Sequence, residues 1–335
     1  TNAAGLSRVL DKNISRQLKA ETGLHIRYCS RVGRGDKSME QVALIPHYVG
    51  WADVVHLTAV YSLPTLPTLI ACNIANRPIV WSPRGALQHW HGSTKAHVKS
   101  VFETLCKYQT PPRMAFHATS EEERSQILSK FSDTTCTVIP NGVWIPSHIS
   151  HSPDPTTFRI LFMGRLHPIK GLENLLHACS QLKGNWKLTI AGDGDAEYVR
   201  TLTNLIHRLG LTSRVDQPGH LNSESKEHLW ATADVLIVPS FTESFALVIA
   251  EALARAVPVI ASKGTPWSRL HQEDCGLWVD NDPNTLANAM THAQTLPLRA
   301  MGERGRAWME RDFDWELLAP RMLDLYHSVY KSPSA

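Results

Sequence analysis

Asp234 to Pro239 (Asp-Val-Leu-Ile-Val-Pro) is a short, nearly continuous apolar run, and Pro258 to Ala261 is a second one. Such runs without polar alternation are the pattern of strands buried on both faces of a parallel sheet. Between them, Ser244 is a good N-cap residue, the eleven residues after it favour a helix, and Val257-Pro258 ends that helix. Two parallel strands need a crossover, and a helix supplies it here, so this stretch commits the chain to an α/β architecture.

The same alternation runs through the rest of the sequence. Strands are predicted at Asp53–Thr58, Pro78–Pro83, Met114–Ser120 and Thr135–Pro140, with helices at Leu63–Asn76, Lys95–Gln109 and Glu121–Phe131 between them. Ahead of these, Leu6–Ala20 reads as an amphipathic helix and His25–Ser30 as a strand. Asn141-Gly142 is a turn signal, and residues 143–157 are rich in Ser, His and Pro. Alternation then restarts with strands at Phe158–Met163, Trp186–Ala191 and Val215–Gly219, and helices at Leu172–Leu182, Pro283–Thr295, Leu298–Arg311 and Trp315–Tyr330. This predicts two doubly wound domains, 1–142 and 158–312, joined by a linker at 143–157 and followed by a closing helical segment at 313–335.

Composition narrows the function classes. The 335 residues are 43% hydrophobic, enough for two cores, and carry a formal charge of only +3. That charge is uneven: residues 1–150 hold 16 Lys and Arg against 10 Asp and Glu, and the remainder 18 against 21. The basic excess of the first half fits a surface that meets anionic lipid or an anionic glycan. The basic residues neither cluster nor interleave with aromatics, which argues against nucleic acid. No run of about eighteen apolar residues is present to span a membrane. Six scattered cysteines form no Cys-x-x-Cys pair, as in a reduced cytoplasmic protein, and His89-Trp90-His91 lacks the i, i+4 spacing of a zinc pair, so no metal is expected.

Two carboxylates stand out against this background. Glu243 falls at the mouth of the predicted helix and Glu251 eight residues on, roughly 12 Å along a helix. That exceeds the separation of about 5 Å between the carboxylates of a retaining glycosidase. Between them, the free N–H groups of Phe245, Ala246 and Leu247, with the helix dipole, form a place for anionic oxygens. The layout fits a nucleotide sugar, with sugar hydroxyls at one end, ribose at the other and a diphosphate between. On these residues alone, a plainer reading stays open: a dipole-favoured acid and a solvated side chain. A second cluster, Gly164-Arg165-Leu166-His167-Pro168-Ile169-Lys170-Gly171, bridges a predicted strand and helix, so Arg165 and Lys170 can both face the sheet's carboxyl edge as a diphosphate clamp. Gly192-Asp193-Gly194 is a further turn after a strand.

Glu243 and Glu251, in their Phe-x-Leu-x-x-x-Glu-Ala context, resemble the Glu-x7-Glu motif of the retaining two-domain glycosyltransferases, the large family 4, also called glycosyl transferases group 1. The Gly164–Gly171 pattern resembles that family's donor phosphate loop, and Ile139–Val143 its linker. The resemblance implies two Rossmann-like domains facing across a cleft, the GT-B fold. It implies transfer of a sugar from a UDP-, GDP- or ADP-linked donor with retained anomeric configuration, by front-side attack, with no metal and no cofactor beyond the nucleotide sugar. The acceptor implied is a glycan or a lipid-linked molecule of cell-envelope polysaccharide or lipopolysaccharide synthesis, handled in the cytoplasm at the inner face of the membrane.

Carried onto this chain, the resemblance makes Glu243, Arg165, Lys170 and Arg84 catalytic. Gly164, Gly192, Ser244, Phe245, Ala246, Leu247 and Glu251 become donor-binding, and Gly5 and His56 acceptor-side. The chain also departs from the family. Ser244 and Ala246 stand where Gly is more frequent, Trp144 replaces an acid, and Gln217-Pro218 replaces an apolar pair. Arg84 stands where many relatives have a His, and Arg cannot serve as a base at neutral pH. Only Ala3-Ala4-Gly5-Leu6 matches the end of the family's first loop, so the first strand of the N-terminal domain is expected to be missing. That departure keeps two alternatives open, a non-catalytic nucleotide-sugar-binding protein and a truncated, inactive transferase. A nicotinamide-dependent oxidoreductase is disfavoured, since no Gly-x-Gly-x-x-Gly turn follows a strand.

Overall fold

The computed structural model describes residues 24–30, 37–88, 96–150, 152 and 156–332. The apolar runs pair into two separate, wholly parallel sheets. In the first, β1 (Val55–Thr58), β2 (Ile79–Ser82), β3 (Met114–Ala118) and β4 (Thr135–Val138) lie side by side in that order. Helix α1 (Met39–Trp51) precedes them, and α2 (Thr65–Ile74), α3 (Ala96–Tyr108) and α4 (Glu121–Lys130) make the crossovers. Every residue of β2 is buried, as a strand covered on both faces requires. Trp81 stacks on Phe116 with ring centroids 5.1 Å apart, and Phe131 closes the core beside them.

The second sheet has the order β10-β9-β8-β5-β6-β7. It is built from β5 (Phe158–Met163), β6 (Trp186–Ala191), β7 (Val215–Gly219), β8 (Val235–Val238), β9 (Val259–Ser262) and β10 (Gly276–Val279). Around it lie α5 (Leu172–Cys179), α6 (Ala196–Arg208), α7 (Ser223–Thr232), α8 (Leu247–Ala254), α9 (Pro283–Ala293) and α10 (Leu298–Asp312). From β5 the chain winds one way through β6 and β7, then returns and winds the other way through β8, β9 and β10. The direction reverses between β5 and β8, which pair directly. Loops leaving neighbouring strands at such a reversal part to opposite faces and open a crevice at the carboxyl edge.

The last helix, α11 (Trp315–Lys331), leaves the second sheet and returns to the first. Asp314 caps it by accepting from the Glu316 amide at 3.0 Å, and Leu318, Leu325 and Val329 bury against Val80, Ala115 and Ile139. Among the described residues no helix is long and apolar enough to cross a membrane.

Several expectations are corrected. The segment His25–Ser30 is not a strand; it is held by Glu40, which pairs with Arg27 at 2.9 Å and accepts from the Ser30 amide at 2.8 Å. Helix α1 was not anticipated, because Pro46 and Gly50 interrupt its pattern; Ser38 caps it and Ile45 and Val49 anchor it. Helix α8 begins at Leu247, not after Ser244. The predicted Leu6–Ala20 helix, Gly5 and His89-Trp90-His91 lie outside the described residues.

A polar chain ties α11 to the first sheet. His117 Nε2 lies 2.8 Å from the Ile139 carbonyl, which can only accept, so this nitrogen carries the proton. His117 Nδ1 therefore accepts from the Ser82 hydroxyl at 2.7 Å, Ser82 Oγ accepts from His56 Nε2 at 2.7 Å, and His56 Nδ1 accepts from the Tyr326 hydroxyl at 2.7 Å. Both imidazoles are neutral in this arrangement. Desolvation lowers the pKa of each to about 4 from 6.5, helped at His56 by His117 and then Arg84, and at His117 by Arg84 against the opposing bond to Ile139. An unfolded chain takes up protons below pH 6.5 that the folded chain refuses, so this stabilisation is complete above that pH and is lost as pH falls toward 4. The urea midpoint is expected to fall steadily from pH 6.5 to 4.5, and less steeply in His117→Gln, which keeps a donor and an acceptor without titrating; equal slopes would contradict this.

Candidate functional site

The crevice between β5 and β8 is walled by the loop 164–171 on one side and the loop 239–246 on the other. The first loop is fixed by close backbone approach. A Cβ at Gly192, after β6, would lie 1.8 Å from the Gly164 carbonyl oxygen, so the ends of β5 and β6 can meet only there without side chains. Residues Pro168–Lys170 then form a single 3-10 turn closed by Gly171 at φ +67°, and a Cβ at Gly171 would meet the Pro239 carbonyl at 2.0 Å. The two loops are thus pressed together, and the Phe241 amide donates to the Ile169 carbonyl at 2.8 Å.

Lys170 reaches across this seam. Its ammonium lies 2.5 Å from Glu243 Oε1, which also accepts from the Ser240 hydroxyl at 2.7 Å. The side chains of the pair are only 21% and 14% exposed, so each charge depends on the other for its solvation. The Glu243 amide donates to the Gly264 carbonyl at 2.8 Å, which fixes the backbone behind the carboxylate. An ammonium has three protons, and Lys170 keeps two for further acceptors. Arg165, on the same loop, is exposed.

Helix α8 opens beside Glu243. Its first turn closes with the Ile249 amide donating to Ala246 at 2.9 Å, so the amides from Phe245 to Val248 precede the first helical bond. Phe245 is buried against Trp267 and Phe313, with centroids 5.2 and 6.0 Å away, and Trp267 Nε1 donates to the Phe245 carbonyl. This aromatic anchor sets where the amide cluster points. Ala246 is the N-cap residue, in the left-handed conformation at φ 62°, ψ 66°, where no side chain caps the helix. A Cβ costs about 1 kcal/mol in that conformation. Ser244 is not the cap; its carbonyl accepts from Thr119 Oγ1 at 3.2 Å.

Glu251 lies within α8 and pairs with Lys226 of α7 at 2.9 Å, so it is not simply solvated. Since the helix covers only the second half of the interval from Glu243, the helical rise does not give their separation. Lys226 was missed because no spacing rule links it to Glu251. Across the cleft, Arg84 follows β2 at φ 54° and donates to Asn141 Oδ1. Desolvation lowers its pKa, while Glu123 and Tyr326 oppose the shift. Both ring nitrogens of His56 are engaged, by Tyr326 and Ser82. Hollows of about 540 and 830 Å³ flank β1, the second lined by Trp51, Tyr326 and Tyr330, and neither includes Glu243. Among the described residues no three His, Cys, Asp or Glu side chains gather as metal ligands.

Two facing parallel α/β sheets, a crevice at the strand-order reversal and a helix crossing back define a GT-B fold. The solved structures agree. Anabaena HepE in complex with UDP superposes with a TM-score of 0.75 over 93% of this chain and 89% of that one at 20% identity. Sucrose-phosphate synthase from Thermosynechococcus elongatus gives 0.75 over 91% and 83% at 21% identity. Residues 147–308, just under half of the chain, match the profile of Glycosyl transferases group 1. It is 36% identical over 132 residues to an uncharacterized glycosyltransferase of Methanocaldococcus jannaschii, covering 38% of this chain and 33% of that protein. It is 29% identical over 299 residues to the phosphatidyl-myo-inositol mannosyltransferase of Mycobacterium leprae, covering 84% and 75%. Its matches to the Methanocaldococcus protein and to three D-inositol 3-phosphate glycosyltransferases span 33% to 51% of those proteins' length.

Replacing Ala246 by Gly removes the strained Cβ and is expected to raise stability by up to about 1 kcal/mol, read from urea denaturation. A loss of stability would mean that the left-handed cap is not strained.

Proposed function

We propose that the chain transfers a sugar from a nucleotide-diphosphate sugar to a hydroxyl of a glycan or lipid-linked acceptor, with retained anomeric configuration. The observation that carries this is the junction of Lys170, Glu243 and the first turn of α8 at the crevice, where a fixed carboxylate adjoins cationic and amide donors. Glu243 holds donor-sugar hydroxyls and sets the anomeric carbon. The diphosphate lies against Arg165, Lys170 and the amides from Phe245 to Leu247, near Gly164 and Gly192. Glu251 accepts from the ribose hydroxyls, and Lys226 orients it.

In the reaction the bond from the anomeric carbon to the diphosphate oxygen breaks as the acceptor oxygen bonds to the same face. The acceptor proton passes to the departing diphosphate. Charge accumulates on that leaving group, and preorganised donors facing it lower the barrier without reorganising. Arg165 and Lys170 supply this stabilisation without a metal ion, and Arg84 adds a contact to phosphate or to an acidic sugar from the opposite wall. Solved neighbours hold UDP or UDP-glucose, which makes a uridine donor the first to test.

The acceptor side faces an anionic membrane in this reading. On α3, Val98, Val101, Leu105 and Tyr108 recur at helical spacing and are 66%, 62%, 47% and 79% exposed. The acid of this helix, Glu103, is turned inward onto Lys130 at 2.6 Å, while Lys107 and His97 are exposed beside the stripe. Such a face suits shallow insertion at the inner face of the membrane during envelope-glycan synthesis. Anionic vesicles are expected to sediment the protein and to lose it when Val101 and Leu105 become Glu; retention by the double variant would contradict membrane contact.

Calorimetric titration with UDP, GDP and ADP is expected to show one nucleotide binding, weakened at least tenfold in Glu251→Ala and Arg165→Ala. Turnover of the matching nucleotide sugar is expected to fall at least a hundredfold in Glu243→Gln. Binding without any turnover would favour a nucleotide-sugar-binding protein, and no binding at all would remove the donor site.

A further inference from the structure

The loop carrying Glu243 is gripped from the first domain as well as from the second. The Gln88 side chain uses both ends of its amide on consecutive residues of that loop. Nε2 donates to the Glu243 carbonyl at 3.0 Å, and Oε1 accepts from the Thr242 hydroxyl at 3.0 Å. Thr119 Oγ1 lies 3.2 Å from the next carbonyl, that of Ser244, and shares its one proton between that oxygen and Glu123 Oε2, 2.7 Å away. Three successive residues of the second domain therefore rest on two loops of the first, which leave the carboxyl ends of β2 and β3.

Those two loops are bound to each other by one buried carboxylate. Glu123, only 1% exposed, accepts from the Gly85 amide at 2.6 Å through Oε1, and from the Thr119 amide and hydroxyl at 2.7 Å each through Oε2. The turn that carries Gln88 closes with its own amide donating to Gly85 at 3.1 Å. Contact is tight: a Cβ on Gly85 would fall 2.8 Å from the Ser244 Cβ. The Glu243 carboxylate, by contrast, takes its partners from the second domain alone, Lys170 and Ser240.

We infer that Gln88 is a positioning residue through which the first domain, stiffened by Glu123, sets the Glu243 backbone and couples domain closure to the orientation of the donor sugar. This rests on the reading of Glu243 as the donor-sugar contact. Gln88 does not touch the nucleotide in this arrangement, because the groups assigned to ribose and diphosphate belong to the second domain apart from Arg84. Loss of the latch therefore impairs the reacting geometry more than donor binding.

The test compares Gln88→Ala, Gln88→Glu and Thr242→Val with the unaltered protein. Gln88→Glu keeps the size but can no longer donate to the Glu243 carbonyl, and Thr242→Val keeps the shape of the partner without its hydroxyl. All three are expected to bind nucleoside diphosphate within threefold of the unaltered protein, and to lose kcat tenfold or more with KM for the donor changed less than threefold. Gln88→Glu is expected to be the most impaired. Unchanged kcat, or a parallel loss of kcat and nucleotide affinity, would overturn the inference. Small-angle X-ray scattering judges the latch without turnover: Gln88→Ala is expected to have a larger radius of gyration, and superimposable curves would overturn it. If the unaltered protein turns over no nucleotide sugar, the transferase reading fails, while the scattering result still decides the latch.

Discussion

Glu243 is held at every polar group it offers. Its carboxylate meets the Lys170 ammonium and the Ser240 hydroxyl, its amide meets the Gly264 carbonyl, and its carbonyl meets the Gln88 amide. Those partners come from the loops after β5, β8 and β9 and from the other domain. With its carboxylate held by Lys170 and Ser240 and its backbone by Gly264 and Gln88, the residue cannot shift unless those partners do, and little solvent reaches the carboxylate to screen its charge. The rest of the site is arranged about this point: the start of α8 follows it directly, and Phe245 seats that start in the aromatic cluster with Trp267 and Phe313.

Topology explains why these segments meet. Reversal of strand order between β5 and β8 parts their outgoing loops, and α11 then carries the chain back onto the first sheet. The relay from Tyr326 through His56, Ser82 and His117 to Ile139 gives that return a fixed register, because each hydrogen has one acceptor. The same helix thus joins the two halves at one end while Gln88 joins them at the cleft. Binding of a bridging substrate between such halves needs less ordering than between freely hinged ones.

The sheets were legible because burial on both faces leaves an unbroken apolar run, and β2 and β8, buried at every residue, fall inside such runs. Arg165, Lys170 and Glu243 were legible as strand-end and helix-start residues. The exact start of α8 was not, since Ser244 has the better capping side chain while the chain instead turns through Ala246, a residue with no preference for φ above zero. Gln88, Glu123 and Lys226 were invisible for a different reason. The partners that matter lie apart in sequence, 155 residues for Gln88 and Glu243, 38 for Glu123 and Gly85 and 25 for Lys226 and Glu251, and no local period encodes such a meeting. His56 looked like a free strand-end group, but Tyr326, 270 residues on, takes one of its nitrogens.

The most direct test of the central claim is a structure of the chain with a bound nucleoside diphosphate. The expected result places the diphosphate oxygens within hydrogen-bond reach of Lys170 Nζ and the amides opening α8, with the ribose hydroxyls at Glu251. A nucleotide seated elsewhere, such as the aromatic hollow of Trp51, Tyr326 and Tyr330, would contradict the account.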